Sequence, residues 1–124
     1  MLQDGNQLAI VTAAKCEAGR GKADGLTVCE LTWMIIAGDQ SGQSLATRYF
    51  YEDQLPRRLM DDFLRLGLRV RGPEEVDKVR DQLVGRIARL TLKTDEGKQR
   101  VFVGNYVGWR PRPISSRMTI DDRM

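Results

Sequence analysis

The chain has 124 residues, enough for one domain around a single core and short for two. Twenty Lys plus Arg against 17 Asp plus Glu give a net charge of +3, which permits a polyanionic partner without requiring one. Histidine is absent, which removes the side chain most used for acid–base chemistry near neutral pH and a common metal ligand, and no apolar run approaches the roughly 18 to 20 residues that cross a bilayer.

Gln7 to Glu17 alternates Leu8, Ile10 and Thr12 against Ala9, Val11 and Ala13, the period of a strand. Three glycines between Gly19 and Gly25 then predict a loop, whose Arg20 and Lys22 either close over a phosphate backbone or are simply solvated. A second strand is expected from Leu26 to Ala37, a turn over Gly38–Gly42, and a third strand from Ser44 to Tyr51. Counting back from that turn places Cys29, Leu31, Trp33 and Ile35 on one face with Leu45, Tyr49 and Tyr51, the better core set. Glu30, Thr32 and Met34 share the other face with Arg48 and Phe50. Trp33 is a core indole in this register, and a one-residue bulge would turn it outward as a base-stacking platform. The expected register sets Cys16 opposite a residue near Leu26, which disfavours a Cys16–Cys29 disulfide. A reduced, cytoplasmic protein is the simpler expectation, and the Met-Leu-Gln-Asp start lacks a basic-then-apolar targeting signal.

Leu55, Leu59, Phe63 and Leu66 recur at helical spacing, so a helix is expected over Gln54 to Leu66, stopped by Gly67. Its charges fall at i,i+4 as Arg57–Asp61, Arg58–Asp62 and Asp61–Arg65, a mutually paired solvated face. Pro73 to Gln82 opens Pro-Glu-Glu and reads as a second short helix, with Leu83 starting the fourth strand. The strongest pattern is Leu90 to Tyr106, two alternating arms around the turn Asp95-Glu96-Gly97-Lys98. A continuous register there sets Lys93 opposite Arg100, Thr91 opposite Phe102, Arg89 beside Gly104 and Ile87 beside Tyr106, all on one face. Leu92, Leu90 and Ala88 face the core with Val101 and Val103. Residues 1–109 are expected to form the domain, and 110–124 a basic, proline-containing tail with Arg110, Arg112 and Arg117.

Five strands with one helix between the third and fourth is the element order of an OB-fold barrel, a mainly β architecture that closes its own edges. In that fold oligonucleotides lie across strands two and three, between the loop joining strands one and two and the loop joining four and five. The runs Leu-Thr-Val-Cys-Glu-Leu-Thr-Trp (26–33), Ala-Gly-Asp-Gln-Ser-Gly-Gln (37–43), Phe-Leu-Arg-Leu-Gly-Leu (63–68) and Gln-Leu-Val-Gly-Arg (82–86) resemble a phage and prophage family of OB-fold proteins. Many of its members are grouped only as a domain of unknown function, and they are regarded as single-stranded-DNA-binding proteins of phage replication and recombination. The resemblance covers roughly Gln7 to Val107 and implies the OB fold and single-stranded DNA as ligand, with replication or recombination proteins as candidate further partners.

The residues themselves support the same expectation, because single-strand binders need cations along a groove and flat rings on which bases stack irrespective of sequence. Arg48, Arg89, Lys93 and Arg100, with Arg20 and Lys22 from the first loop, are the candidate phosphate contacts. Phe50, Phe102 and Tyr106, with Trp33, are the candidate stacking rings. Sequence-tolerant single-stranded DNA binding in phage or mobile-element replication or recombination is therefore expected. Neither a cofactor nor a metal nor a membrane partner is expected, and homo-oligomerisation is left open.

No enzyme is expected either. Walker-type and Cys-x-x-Cys motifs are absent, and a nuclease built on Asp61, Asp62 or Glu30 is disfavoured because adjacent helical carboxylates diverge by about 100°. The alternative is a protein-interaction module on the same scaffold, a replisome adaptor or phage-encoded inhibitor.

Overall fold

The computed structural model describes residues 2–109, so the expected tail, with Arg110, Arg112 and Arg117, lies outside the described residues. The chain order is β1 (Gly5–Ala18), β2 (Thr27–Ile35), β3 (Ser44–Tyr51), α1 (Arg57–Arg65), α2 (Pro73–Val79), β4 (Arg86–Asp95) and β5 (Lys98–Trp109). The five strands form one antiparallel sheet in the order β3-β2-β1-β4-β5. No ladder joins β3 to β5 among the described residues, so the expected closure of the strands into a barrel is absent from the hydrogen bonding.

The inner face of the sheet carries Ala9, Val11, Cys29, Leu31, Trp33, Tyr49, Tyr51, Ala88, Leu90 and Val103, closed over by Leu59, Phe63 and Leu66 of the α1 region and by Val76 and Leu83. The β2–β3 register is the expected one: Glu30 opposes Arg48, Val28 opposes Phe50, and Trp33 opposes Leu45. Trp33 is fully buried, and its indole Nε1 donates to Thr47 Oγ1 at 3.2 Å. The bulge that would have turned it outward falls in β1 instead, between Val11 and Ala13. That extra residue changes the parity of β1, so that Ala9 and Val11 face the core before it and Ala14 and Cys16 after it.

Three local expectations are corrected. Helix α1 begins at Arg57 rather than Gln54, because Pro56 holds an extended backbone (φ −66°, ψ 147°) as N-cap and disfavours helical geometry in the residue before it. Its C-terminus is a Schellman turn in which Leu68 N–H donates to Phe63 O and Gly67 N–H to Leu64 O, with Gly67 at φ +93°. Leu83 does not start β4 but ends a 3₁₀ turn, Arg80–Leu83, that follows α2, and β4 opens three residues later. Cys16 stands directly opposite Cys29, not near Leu26, because the loop takes up a 3₁₀ turn at Gly21–Ala23 before Gly19 N–H closes on Leu26 O at 2.8 Å.

The β4–β5 register follows expectation from Asp95↔Lys98 to Leu90↔Val103 and then slips twice, giving Ala88↔Tyr106 and Ile87↔Gly108. The turn itself holds Glu96 at φ +51° and Gly97 at φ +78°, the two left-handed positions of a type I′ hairpin. A left-handed conformation costs an L-residue with a long side chain more than it costs Asn. Replacing Glu96 by Asn should therefore raise the unfolding free energy by about 0.5–1 kcal/mol, read as a higher urea midpoint at unchanged m-value.

Candidate nucleic-acid interface

The margins of β3 and β5, unpaired among the described residues, border a cleft of about 700 Å³ with α1 along its side. Strand β3 contributes Ala46, Thr47 and Arg48; β5 contributes Gln99 to Val103; and α1 contributes Arg57, Arg58, Asp61, Asp62 and Arg65. Five guanidinium groups against two carboxylates make it a cationic groove. Phe102, 50% exposed, lines it, and Phe50, 49% exposed, stands two residues beyond Arg48 on the same outward side of β3. Both rings are half exposed to solvent.

Helix α1 is locked to both margins. Tyr49 of β3 donates its hydroxyl to Asp62 Oδ2 at 2.6 Å. Arg58 and Arg65 approach the same carboxylate at 3.9 and 3.4 Å. Arg58 also donates to the main-chain oxygen of Val101 on β5 at 3.0 Å, and its guanidinium lies 5.6 Å from the Tyr49 ring centroid. The expected Arg57–Asp61 and Arg58–Asp62 pairs are present, whereas Arg65 pairs with Asp62 and not with Asp61. Burial pushes the Asp62 carboxyl above the ordinary aspartate range, against the opposing pull of the Tyr49 hydroxyl and the two arginines. Burial, then the Asp62 charge, also pushes the Tyr49 phenol up.

A second hollow, of about 390 Å³, adjoins the first through Arg48 and is lined by Lys15, Glu17, Arg20, Val28 and Glu30. Arg48 Nε meets the half-buried Glu30 Oε2 at 2.7 Å, a surface-accessible pair that orients the guanidinium. A path thus runs from Arg20 in the β1–β2 loop past Arg48 and into the cleft beside Arg100 and Phe102. Lys93, directly opposite Arg100, and Arg89 extend the exposed cationic surface along the outer face of β4.

Other expected site residues are not brought to this path. Trp33 offers no ring face to a base, since it lies in the core. Tyr106, 40% exposed, is moved off the Phe102 face: opposite Ala88 it shares the inward side of β4, where the Arg86 guanidinium lies 5.6 Å from its ring centroid. Lys22 is exposed in the 3₁₀ turn but lines neither hollow. Conversely, Arg57, Arg58 and Arg65 line the cleft, although their i,i+4 spacing alone describes a self-neutralised helix face. The signal was present in the stoichiometry, three arginines on two aspartates.

No protein-family model matches the chain, and no curated protein matches it in sequence. Among the described residues no helix is long and apolar enough to cross a membrane. Nor does any cluster of three or more His, Cys, Asp or Glu side chains there have a geometry suited to a metal ion.

The raised Asp62 pKa fixes a sign. A carboxyl whose folded pKa lies above its unfolded value stabilises the fold below the unfolded pKa, and that contribution is lost as pH rises through the folded pKa. Asp62→Asn keeps an acceptor for Tyr49 without the ionisation. The stability of the parent relative to this variant should therefore be greatest near pH 3 and fall towards pH 7, measured by urea unfolding across that range. The Asp62 carboxyl carbon should titrate in NMR with a midpoint above 3.8.

Proposed function

We propose that this protein binds single-stranded DNA without strong sequence preference, in the cytoplasm, during phage or mobile-element replication or recombination. The observation that carries the reading is the cleft between β3 and β5, which is lined by Arg48, Arg100, three α1 arginines and Phe102. Phosphates would be met by guanidinium groups and bases would stack on Phe102 and Phe50, the two ingredients of sequence-tolerant single-strand binding. The ladder order, with a helix-containing connection between β3 and β4, supports an OB-like scaffold. The resemblance to the phage and prophage single-strand binders supports the same ligand. A second reading, a protein-interaction module, draws on the unpaired main-chain groups of β3 and β5, which an extended peptide could pair with.

Fluorescence anisotropy with labelled oligo-dT and a duplex of equal length tests the proposal. Oligo-dT should bind more tightly, and log affinity should fall against log salt with a slope near about −3 if four phosphates are neutralised. Equal binding to both forms, or to neither, would reject it. Phe102→Ala should weaken binding roughly 5- to 150-fold, the equivalent of about 1–3 kcal/mol for one stacked base, with an unchanged salt slope. Trp33→Phe, by contrast, should alter stability and leave affinity in place.

A further inference from the structure

Cys16 and Cys29 occupy directly opposed positions on β1 and β2, and both thiols are free. The hydrogen bond from Gly19 N–H to Leu26 O marks Gly19/Leu26 as a hydrogen-bonded pair. Alternation along an antiparallel ladder then makes Glu17/Val28 hydrogen-bonded, and Ala18/Thr27 and Cys16/Cys29 non-hydrogen-bonded. In pairs of the last kind the Cα atoms are about 4.5 Å apart and the side chains lean together, inside the ~4.4–6.8 Å window that a disulfide spans. Opposed residues also share a face of the sheet, so the two sulfurs need no change of strand register to meet.

The surroundings divide the two thiols by role. Cys29 is fully buried, whereas Cys16 is partly exposed and lines a surface hollow of about 460 Å³ beside Glu17, Asp24 and Asp77. The Cys29 thiol, the Tyr51 hydroxyl and the Arg80 guanidinium are the polar groups whose interactions favour the Cys16 thiolate. These contacts, the Cys29 thiol first, outweigh partial burial and hold Cys16 down to about 7, while the same hydrogen bond and burial push Cys29 up.

We propose that Cys16 and Cys29 form a dithiol site that exchanges with small disulfides of the glutathione type, Cys16 attacking and Cys29 resolving. The Cys16 thiolate attacks one sulfur of the disulfide, breaking its S–S bond and releasing one thiolate. Once Cys16 is in the mixed disulfide its charge is gone, and so is the hydrogen bond that most hindered ionisation of Cys29. Cys29 then loses its proton to solvent, attacks the Cys16 sulfur and expels the second thiolate. Two protein thiols are oxidised to a β1–β2 disulfide, and one small disulfide is reduced to two thiols. The bond ties the strands at the root of the loop carrying Arg20 and Lys22. The proposal is independent of the nucleic-acid reading.

The test treats the folded, full-length protein with oxidised glutathione near neutral pH, then maps it by intact mass and by proteolysis without reductant. The expected product has lost two hydrogens, carries no glutathione and yields one peptide joining Cys16 to Cys29. Its melting temperature should exceed that of the reduced protein by roughly 10 °C, since closing a short loop removes unfolded-state entropy. Cys29→Ser should stop at glutathione on Cys16, and Cys16→Ser should leave Cys29 unmodified until the protein is unfolded. A parent protein that retains glutathione on Cys16, links two chains, or does not react while folded would overturn the proposal. The peptide map of the parent decides it even if either variant fails to fold.

Discussion

Two strand margins, β3 and β5, border one cleft without hydrogen-bonding to each other, and helix α1 has to satisfy both. It does so through one carboxylate. Tyr49 reaches Asp62 from β3, Asp62 holds Arg58, and Arg58 donates onward to the Val101 carbonyl of β5. A buried acid is costly alone, and Asp62 is met by the Tyr49 hydroxyl and by Arg58, whose guanidinium also reaches the Val101 carbonyl at the surface. Arg48 and Arg100 line the cleft whose two strands this relay connects.

Parity changes decide what the sheet shows to solvent. The β1 bulge between Val11 and Ala13 brings Ala14 and Cys16 inward to meet Leu31 and Cys29, which keeps the whole length of β2 in a single alternation and Trp33 in the core. At the other side of the sheet, the first slip between Leu90 and Ala88 inverts β5 around Tyr106, so Tyr106 stacks under Arg86 while Phe102 stays outside, and the second slip restores the alternation at Gly108. The first of the two residues inserted in β5 therefore separates Tyr106 from Phe102, two rings that a regular ladder would have put on one face.

Much of the fold was legible because hydrophobic alternation and turn chemistry are local. Ser44–Tyr51, the β2–β3 faces and the hairpin turn over Asp95–Lys98 all follow from residues within a few positions of one another. What failed was non-local or cumulative. The Cys16–Cys29 register depends on how many residues the Gly19–Gly25 loop consumes, and the face of Tyr106 depends on slips that no single residue announces. The α1 arginines were readable as pairs along their own helix. Their position against β3 and β5 is a tertiary fact that helical periodicity does not contain.

The same relay sorts the cleft arginines by how readily they can be diverted to a ligand. Arg58 is tied to a buried acid and to a main-chain oxygen, and Arg65 to the same acid, so moving either would leave Asp62 short of its counter-charge. Arg57 meets Asp61 at 3.8 Å on an exposed helix face, and Arg48 meets Glu30 at the surface, contacts that water and salt already weaken. Arg100 and Lys93 have no ion-pair partner among the described residues. A polyanion entering the groove would therefore exchange weak surface pairs at its margins while the buried set keeps α1 in place. Attraction and architecture are thus assigned to different arginines of one helix and its two neighbouring strands.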